Sequence, residues 1–153
     1  KILFIYNIIS QPFFDTLRTK EQLGYRVAFF PNKVDGKWYL IEKIESSFDI
    51  KYINDKLKDF RYSFYTNNLL KMDNKTWKNW KETIYRELTK REESTNELFN
   101  KHYINIISKR YLFNYNELLV KNIKNIKLKD IQKYYKTKIL NNKKKIEIKV
   151  LKK

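Results

Sequence analysis

Apolar positions in this chain recur mostly at helical spacing. Ile53, Leu57, Phe60 and Phe64 repeat at intervals of three and four and predict a helix over about 49–70. Trp77, Trp80, Ile84 and Leu88 continue the pattern over about 74–91. Leu98, His102 and Ile106, with neighbouring Phe99, Tyr103 and Ile107, predict a third helix over about 95–109. A short helix near 116–122 follows, then one over about 128–138 carrying Ile131, Tyr134 and Tyr135. At the start, residues 1–9 read as the end of one helix, and Pro12 opens a second, where its missing N–H is harmless. That second helix runs to Leu23 and stops at Gly24, read as a left-handed residue at a helix C-terminus.

Strand periodicity is confined to two places. Residues 25–31 and Lys37 to Ser46 flank an Asp35-Gly36 turn and predict a hairpin. Near the end, Ile146, Ile148 and Val150 alternate with Glu147 and Lys149, which predicts a closing strand. The expected fold is α+β, with helices packed on one face of a small, mainly antiparallel sheet. The hairpin is the one evident partner for the closing strand. Three strands are thin for so many helices, so the domain reads as incomplete, with further strands expected upstream of Lys1. A chain opening on lysine rather than methionine agrees with a fragment or processed product. Residues 1–153 show no internal repeat or Gly/Ser linker and are expected to form one truncated domain.

Composition narrows the function classes. Hydrophobic residues at 42% and aromatics at 16% supply a core, so the chain is expected to fold. With no cysteine, disulfides and thiolate chemistry are excluded. No apolar run approaches the roughly 20 residues of a membrane span. The apolar opening leads on without a small-residue cleavage site and reads as structure rather than a signal peptide. The cytoplasm is the default compartment on these grounds. A net charge of +17 raises the prospect of a nucleic-acid partner. Lysine, asparagine, isoleucine and tyrosine are abundant together, however, and AT-rich codons favour all four. The lysines are also spread out, with Lys143-Lys144-Lys145 the one triple. Nucleic acid is therefore not the expected partner, although acidic peptides would be drawn to this surface at low salt.

One segment carries more specific information. The run Ser10-Gln11-Pro12-Phe13-Phe14-Asp15-Thr16-Leu17-Arg18-Thr19-Lys20-Glu21-Gln22-Leu23-Gly24-Tyr25 resembles a stretch in the C-terminal half of insulinase-type (inverzincin) zinc metallopeptidases. Weaker likeness follows in order: Leu88 and Lys90, Lys101-His102-Tyr103, Ile106-Ile107-Ser108, Tyr111 with Phe113-Asn114, Asp130-Ile131 with Lys133 to Lys136, and residues 146–151. Glu92-Glu93 depart from the pattern, since some members of the family have a basic pair near this point that binds polyanions.

The resemblance implies a clamshell peptidase in which zinc sits in an N-terminal half and this region faces it. Tyr25 would donate a hydrogen bond to the oxyanion of the tetrahedral intermediate, acting as the catalytic contribution of this chain. Arg18 would hold a substrate backbone carbonyl, and Phe14, one turn earlier, would line the same wall. The implied partners are that zinc-binding half, in the same or another polypeptide, and peptide substrates. Zinc belongs to the complete enzyme and is not expected on this chain. The family's metal motif, His-x-x-Glu-His, needs two histidines, and His102 is the single one here. It lies between Leu98 and Ile106 and reads as a packed, hydrogen-bonded histidine. This polypeptide alone is therefore expected to be inactive.

Read without the resemblance, the same residues have ordinary explanations. Arg18 would pair with Asp15 or Glu21 on a helix surface and Tyr25 is one of twelve tyrosines, while Phe14 reads as a core residue even with the resemblance. Glu42, Glu45 and Asp49 read as solvated strand and loop charges. Two further functions stay open at this point: a non-catalytic scaffold half of a paired peptidase, and a basic module for nucleic acid or anionic surfaces.

Overall fold

One long helix opens the chain instead of two. In the computed structural model, which describes residues 1–34, 36–107, 111–142 and 145–150, helix α1 spans Ile2–Phe14 and runs directly into a π-helical turn, Asp15–Lys20. Pro12 therefore lies inside the helix. It has no N–H to donate, and the chain continues because the Asp15 N–H bonds the carbonyls of Gln11 and Pro12. The winding then widens, with the Glu21 N–H reaching back five residues to the Thr16 carbonyl at 2.9 Å. What carries the helix past its proline is burial. Phe4, Ile5, Ile8, Ile9, Phe13 and Leu17 form an apolar stripe that the rest of the fold covers.

The hairpin forms where the pattern places it. Strands β1 (Arg26–Val34) and β2 (Lys37–Glu45) pair antiparallel, from Arg26 opposite Glu45 to Val34 opposite Lys37. Gly36, at φ 76°, supplies the left-handed conformation that a two-residue turn demands. Val27 and Phe29 face α1 and are buried.

Five helices follow: α2 (Ile50–Phe64), α3 (Asn74–Thr89), α4 (Thr95–Ile107), α5 (Tyr115–Ile123) and α6 (Leu128–Tyr135). Short π-helical turns, Tyr65–Leu69 and Lys136–Leu140, extend α2 and α6. Asp49 starts α2 by accepting from the N–H groups of Lys51 and Tyr52 at 2.7 and 3.2 Å. Asp73 starts α3 in the same way through Thr76, at 2.6 Å. Each side chain satisfies donors that a helix N-terminus otherwise leaves unpaired.

The core lies between α1, the hairpin, α2, α3 and α6. The Phe13 ring packs between Phe29 (5.6 Å) and Phe60 (5.2 Å, edge-on), and Phe4 meets Trp77 at 4.8 Å. Arg61 of α2 makes two hydrogen bonds to Glu42 of β2, that from Nε measuring 2.8 Å, and Glu42 holds its guanidinium above the ordinary value. The Tyr135 hydroxyl donates to the Arg61 carbonyl at 3.0 Å. Burial pushes that phenol well above its ordinary value.

The closing strand does not form: residues 146–150 are exposed and carry no regular secondary structure, and the sheet among the described residues has two strands. The tail is instead held through Glu147, which accepts from Asn54 of α2 at 3.0 Å. Alternation specifies a two-faced strand, but a strand also needs a free edge beside it. Helix α4 forms within its predicted range, but Leu98, Phe99, Tyr103, Ile106 and Ile107 stay exposed and Asn105 is its buried residue. Asp35, Ser108 at the end of the Ile-Ile-Ser element, Lys143 and Lys144 of the lysine triple, and Leu151 of the closing strand lie outside the described residues. Among the described residues no helix is long and apolar enough to cross a membrane.

Candidate functional site

The segment 18–25 turns back on itself at the end of the long helix. Gln22 adopts φ 48° and takes the left-handed position, so the reversal does not fall on Gly24 as the pattern predicts. The Leu23 N–H returns to the Leu17 carbonyl at 2.8 Å, and the Leu23 side chain is buried. Gly24 has a different reason to be glycine. A Cβ there would stand 2.2 Å from the Glu45 carbonyl oxygen, closer than any real contact. With nothing in the way, the Tyr25 N–H bonds that same carbonyl at 2.8 Å. The end of β2 thereby fixes where the Tyr25 backbone sits.

Arg18 and Tyr25 line one open hollow of about 500 Å³. Its wall on the other side comes from Glu45, Ser46, Ser47 and Phe48, the stretch that leads from β2 to α2. Tyr25 is 79% exposed, and Arg18 is half-buried. Phe14 stands outside the hollow, although it is 44% exposed. The wider winding after Phe14 explains this, because in a π-helical turn positions 14 and 18 no longer stack as they do at α spacing.

The charges nearby discriminate between the readings of Arg18. Asp15 accepts from Gln11 Nε2 at 2.7 Å, and Glu21 pairs with Lys56 of α2 at 2.5 Å. Neither carboxylate engages Arg18, which has no ion pair or hydrogen bond among the described residues. Glu45 is taken up by Lys43 at 2.8 Å and, more distantly, Arg26, and the bond from Lys43 holds its carboxyl below the ordinary range. Glu42 and Asp49 serve Arg61 and the α2 N-terminus, as described above. The guanidinium at the hollow thus keeps its donors unspent.

Sequence reasoning missed Gln22 and the 46–48 stretch. The hairpin held the signal, since a turn at 35–36 sets the register that places position 46 opposite position 25.

Among the described residues no three His, Cys, Asp or Glu side chains come together as a metal-holding group. His102 lies on α4 with its Nδ1 buried and without a hydrogen-bond partner among the described residues, and its ring is 5.6 Å from Phe113. Among those residues the hydrogen bond expected of a packed histidine is not made at Nδ1. Glu92 and Glu93 pair with Lys101 and Lys90, so the acidic pair fastens the α3–α4 connection.

Comparison with known proteins gives the family and the fold. The family described as PQQ synthase PqqF-like, C-terminal lobe domain 4, matches residues 4–103. The chain belongs to this family of insulinase-type C-terminal domains. Insulin-degrading enzyme of Bos taurus is 32% identical over 130 residues, covering 85% of this chain and 13% of the relative. A nardilysin-like protein of Arabidopsis thaliana is 26% identical over 135 residues, covering 86% of the chain and 13% of that protein. A crystal structure of pitrilysin shares the fold with a TM-score of 0.78 at 18% identity, over 91% of this chain and 15% of that one. The insulinase-type domain described here therefore spans about one eighth of the length of the curated relatives it matches.

Proposed function

We propose that this chain is the substrate-facing C-terminal domain of an insulinase-type zinc endopeptidase. In this reading residues 1–153 form a single domain that binds no zinc, and the metal belongs to another part of the protein. One observation carries the proposal: Arg18, with no acidic partner among the described residues, and Tyr25 line the same hollow although seven positions apart. Family membership and the relatives named above support peptide hydrolysis as the reaction class.

Arg18 has five N–H donors in a rigid fork, and among the described residues no acceptor satisfies them. A peptide carbonyl entering the hollow takes those bonds and fixes the position of the adjacent peptide unit. Tyr25 projects a hydroxyl that donates to the scissile carbonyl oxygen as negative charge develops there. Such a donor acts on the rate because the bond is stronger in the transition state than in the ground state. Phe14, beyond the rim, offers an apolar contact to the peptide farther along. The general charge of +17 adds attraction for acidic substrates that fades with salt.

The test uses the full-length protein, with zinc content and cleavage of a fluorogenic peptide as readouts. Tyr25→Phe removes one hydroxyl and leaves the ring; turnover is expected to fall by about 10²–10³ with zinc content unchanged. Unaltered turnover in that variant removes Tyr25 from the mechanism. A full-length protein that neither holds zinc nor cleaves peptides points to a scaffold half.

A further inference from the structure

The hollow has an aromatic shelf at its edge that the proposed roles of Arg18 and Tyr25 do not use. Phe48 lines the hollow and is 47% exposed. Its ring lies 5.0 Å from that of Tyr52, and Lys56 Nζ sits over the Tyr52 ring at 5.5 Å. Lys56 is itself held by Glu21, at the end of the motif that carries Arg18.

The shelf is therefore built rather than incidental. The Phe48 N–H bonds Ser46 Oγ at 3.0 Å, and Asp49, next in the chain, is locked as the cap of α2. Backbone and ring are both restrained before any ligand arrives, so little further ordering is lost on binding. A half-exposed phenylalanine in the same hollow as a guanidinium without a partner among the described residues offers both apolar surface and a carbonyl anchor. A peptide presents the matching features together, as a carbonyl and a nearby side chain.

We infer that Phe48, backed by Tyr52, is a specificity-determining contact that takes an aromatic or large aliphatic side chain of the peptide next to the carbonyl held by Arg18. This rests on the proposed peptide-binding role of the hollow and adds the class of side chain it selects. A polar side chain at the same place leaves the Phe48 face wet and gains nothing from it.

The probes are three fluorescein-labelled short peptides, identical except for one central residue, which is Phe, Leu or Ser. Binding to the 153-residue chain is read by anisotropy for wild type, Phe48→Ala, Phe48→Leu and Arg18→Ala. Wild type is expected to bind the Phe and Leu peptides about 10-fold tighter than the Ser peptide. Phe48→Ala should erase that ratio while leaving the Ser affinity in place, and Phe48→Leu should keep most of it. A ratio that survives Phe48→Ala, or equal loss for all three peptides, overturns the shelf. If Phe48→Ala changes nothing while Arg18→Ala weakens every peptide, the shelf alone is wrong. If no peptide binds and Arg18→Ala has no effect, the peptide-binding reading falls with it.

Discussion

Helices α1 and α4 are both thirteen residues long and both carry many apolar side chains, yet they end in opposite conditions. Helix α1 packs against the hairpin, α3 and α6, and buries Phe4, Ile5, Ile8, Ile9 and Phe13. Helix α4 buries Asn105 and leaves Phe99, Tyr103, Ile106 and Ile107 in solvent. An apolar stripe is thus permission to be buried, and what lies opposite decides whether burial happens. The difference also bears on function. The motif of residues 18–25 grows from the helix that the whole core grips, and this is why its hollow has a defined shape.

The largest effects that would break or sharpen this contrast come from truncating one side chain in each helix. Phe13→Ala removes a fully buried ring from contact with Phe29 and Phe60, and is expected to cost about 3–5 kcal/mol. Phe99→Ala on α4 should stay within about 0.5 kcal/mol. Urea unfolding of both variants measures the difference, and equal losses would mean that α4 is covered in solution.

Gly24→Ala comes next. The added methyl group meets the Glu45 carbonyl, so the motif and β2 must separate, at about 1–3 kcal/mol. Peptide affinity should fall with stability, because the Tyr25 N–H loses its position on that carbonyl. A variant as stable and as tight-binding as wild type would show that the motif is not fixed by β2.

A smaller effect concerns pH. The buried Tyr135 phenol titrates above its ordinary value of 10.0, so the folded state holds this proton more firmly than the unfolded chain. Its contribution is complete below pH 10 and is lost as pH rises past that value toward the folded-state value. The urea midpoint of wild type should therefore drop more steeply between pH 9 and 11 than that of Tyr135→Phe. Parallel slopes would mean that the phenol is hydrated in the fold.

Much of this architecture is legible in local patterns. The hairpin and its turn and the spans of α2, α3 and α6 rest on periodicity and turn chemistry that neighbouring residues enforce, whereas Arg18 and Tyr25 stood out through the family resemblance alone. Pro12 was misleading because a proline usually opens a helix, while here tertiary burial of the stripe on either side outweighs the missing hydrogen bond. Gly24 was misleading for a similar reason. A glycine at a helix end has two possible causes, backbone rotation or close approach, and a linear pattern cannot tell them apart.

What the sequence alone determined is the kind of element most stretches form and the identity of the groups they present, because both follow from side-chain chemistry and spacing within a few residues. Tertiary structure decided which groups stay unpaired and which meet. Among the described residues Arg18 has no partner, because Asp15 and Glu21 are engaged by Gln11 and by Lys56, the latter from α2. Phe48 joins the hollow because β2 returns beside the motif. The tail at 146–150 finds no strand beside it among the described residues. Each of these depends on segments distant in sequence competing for the same partner, and the short-range pattern contains no term for that competition.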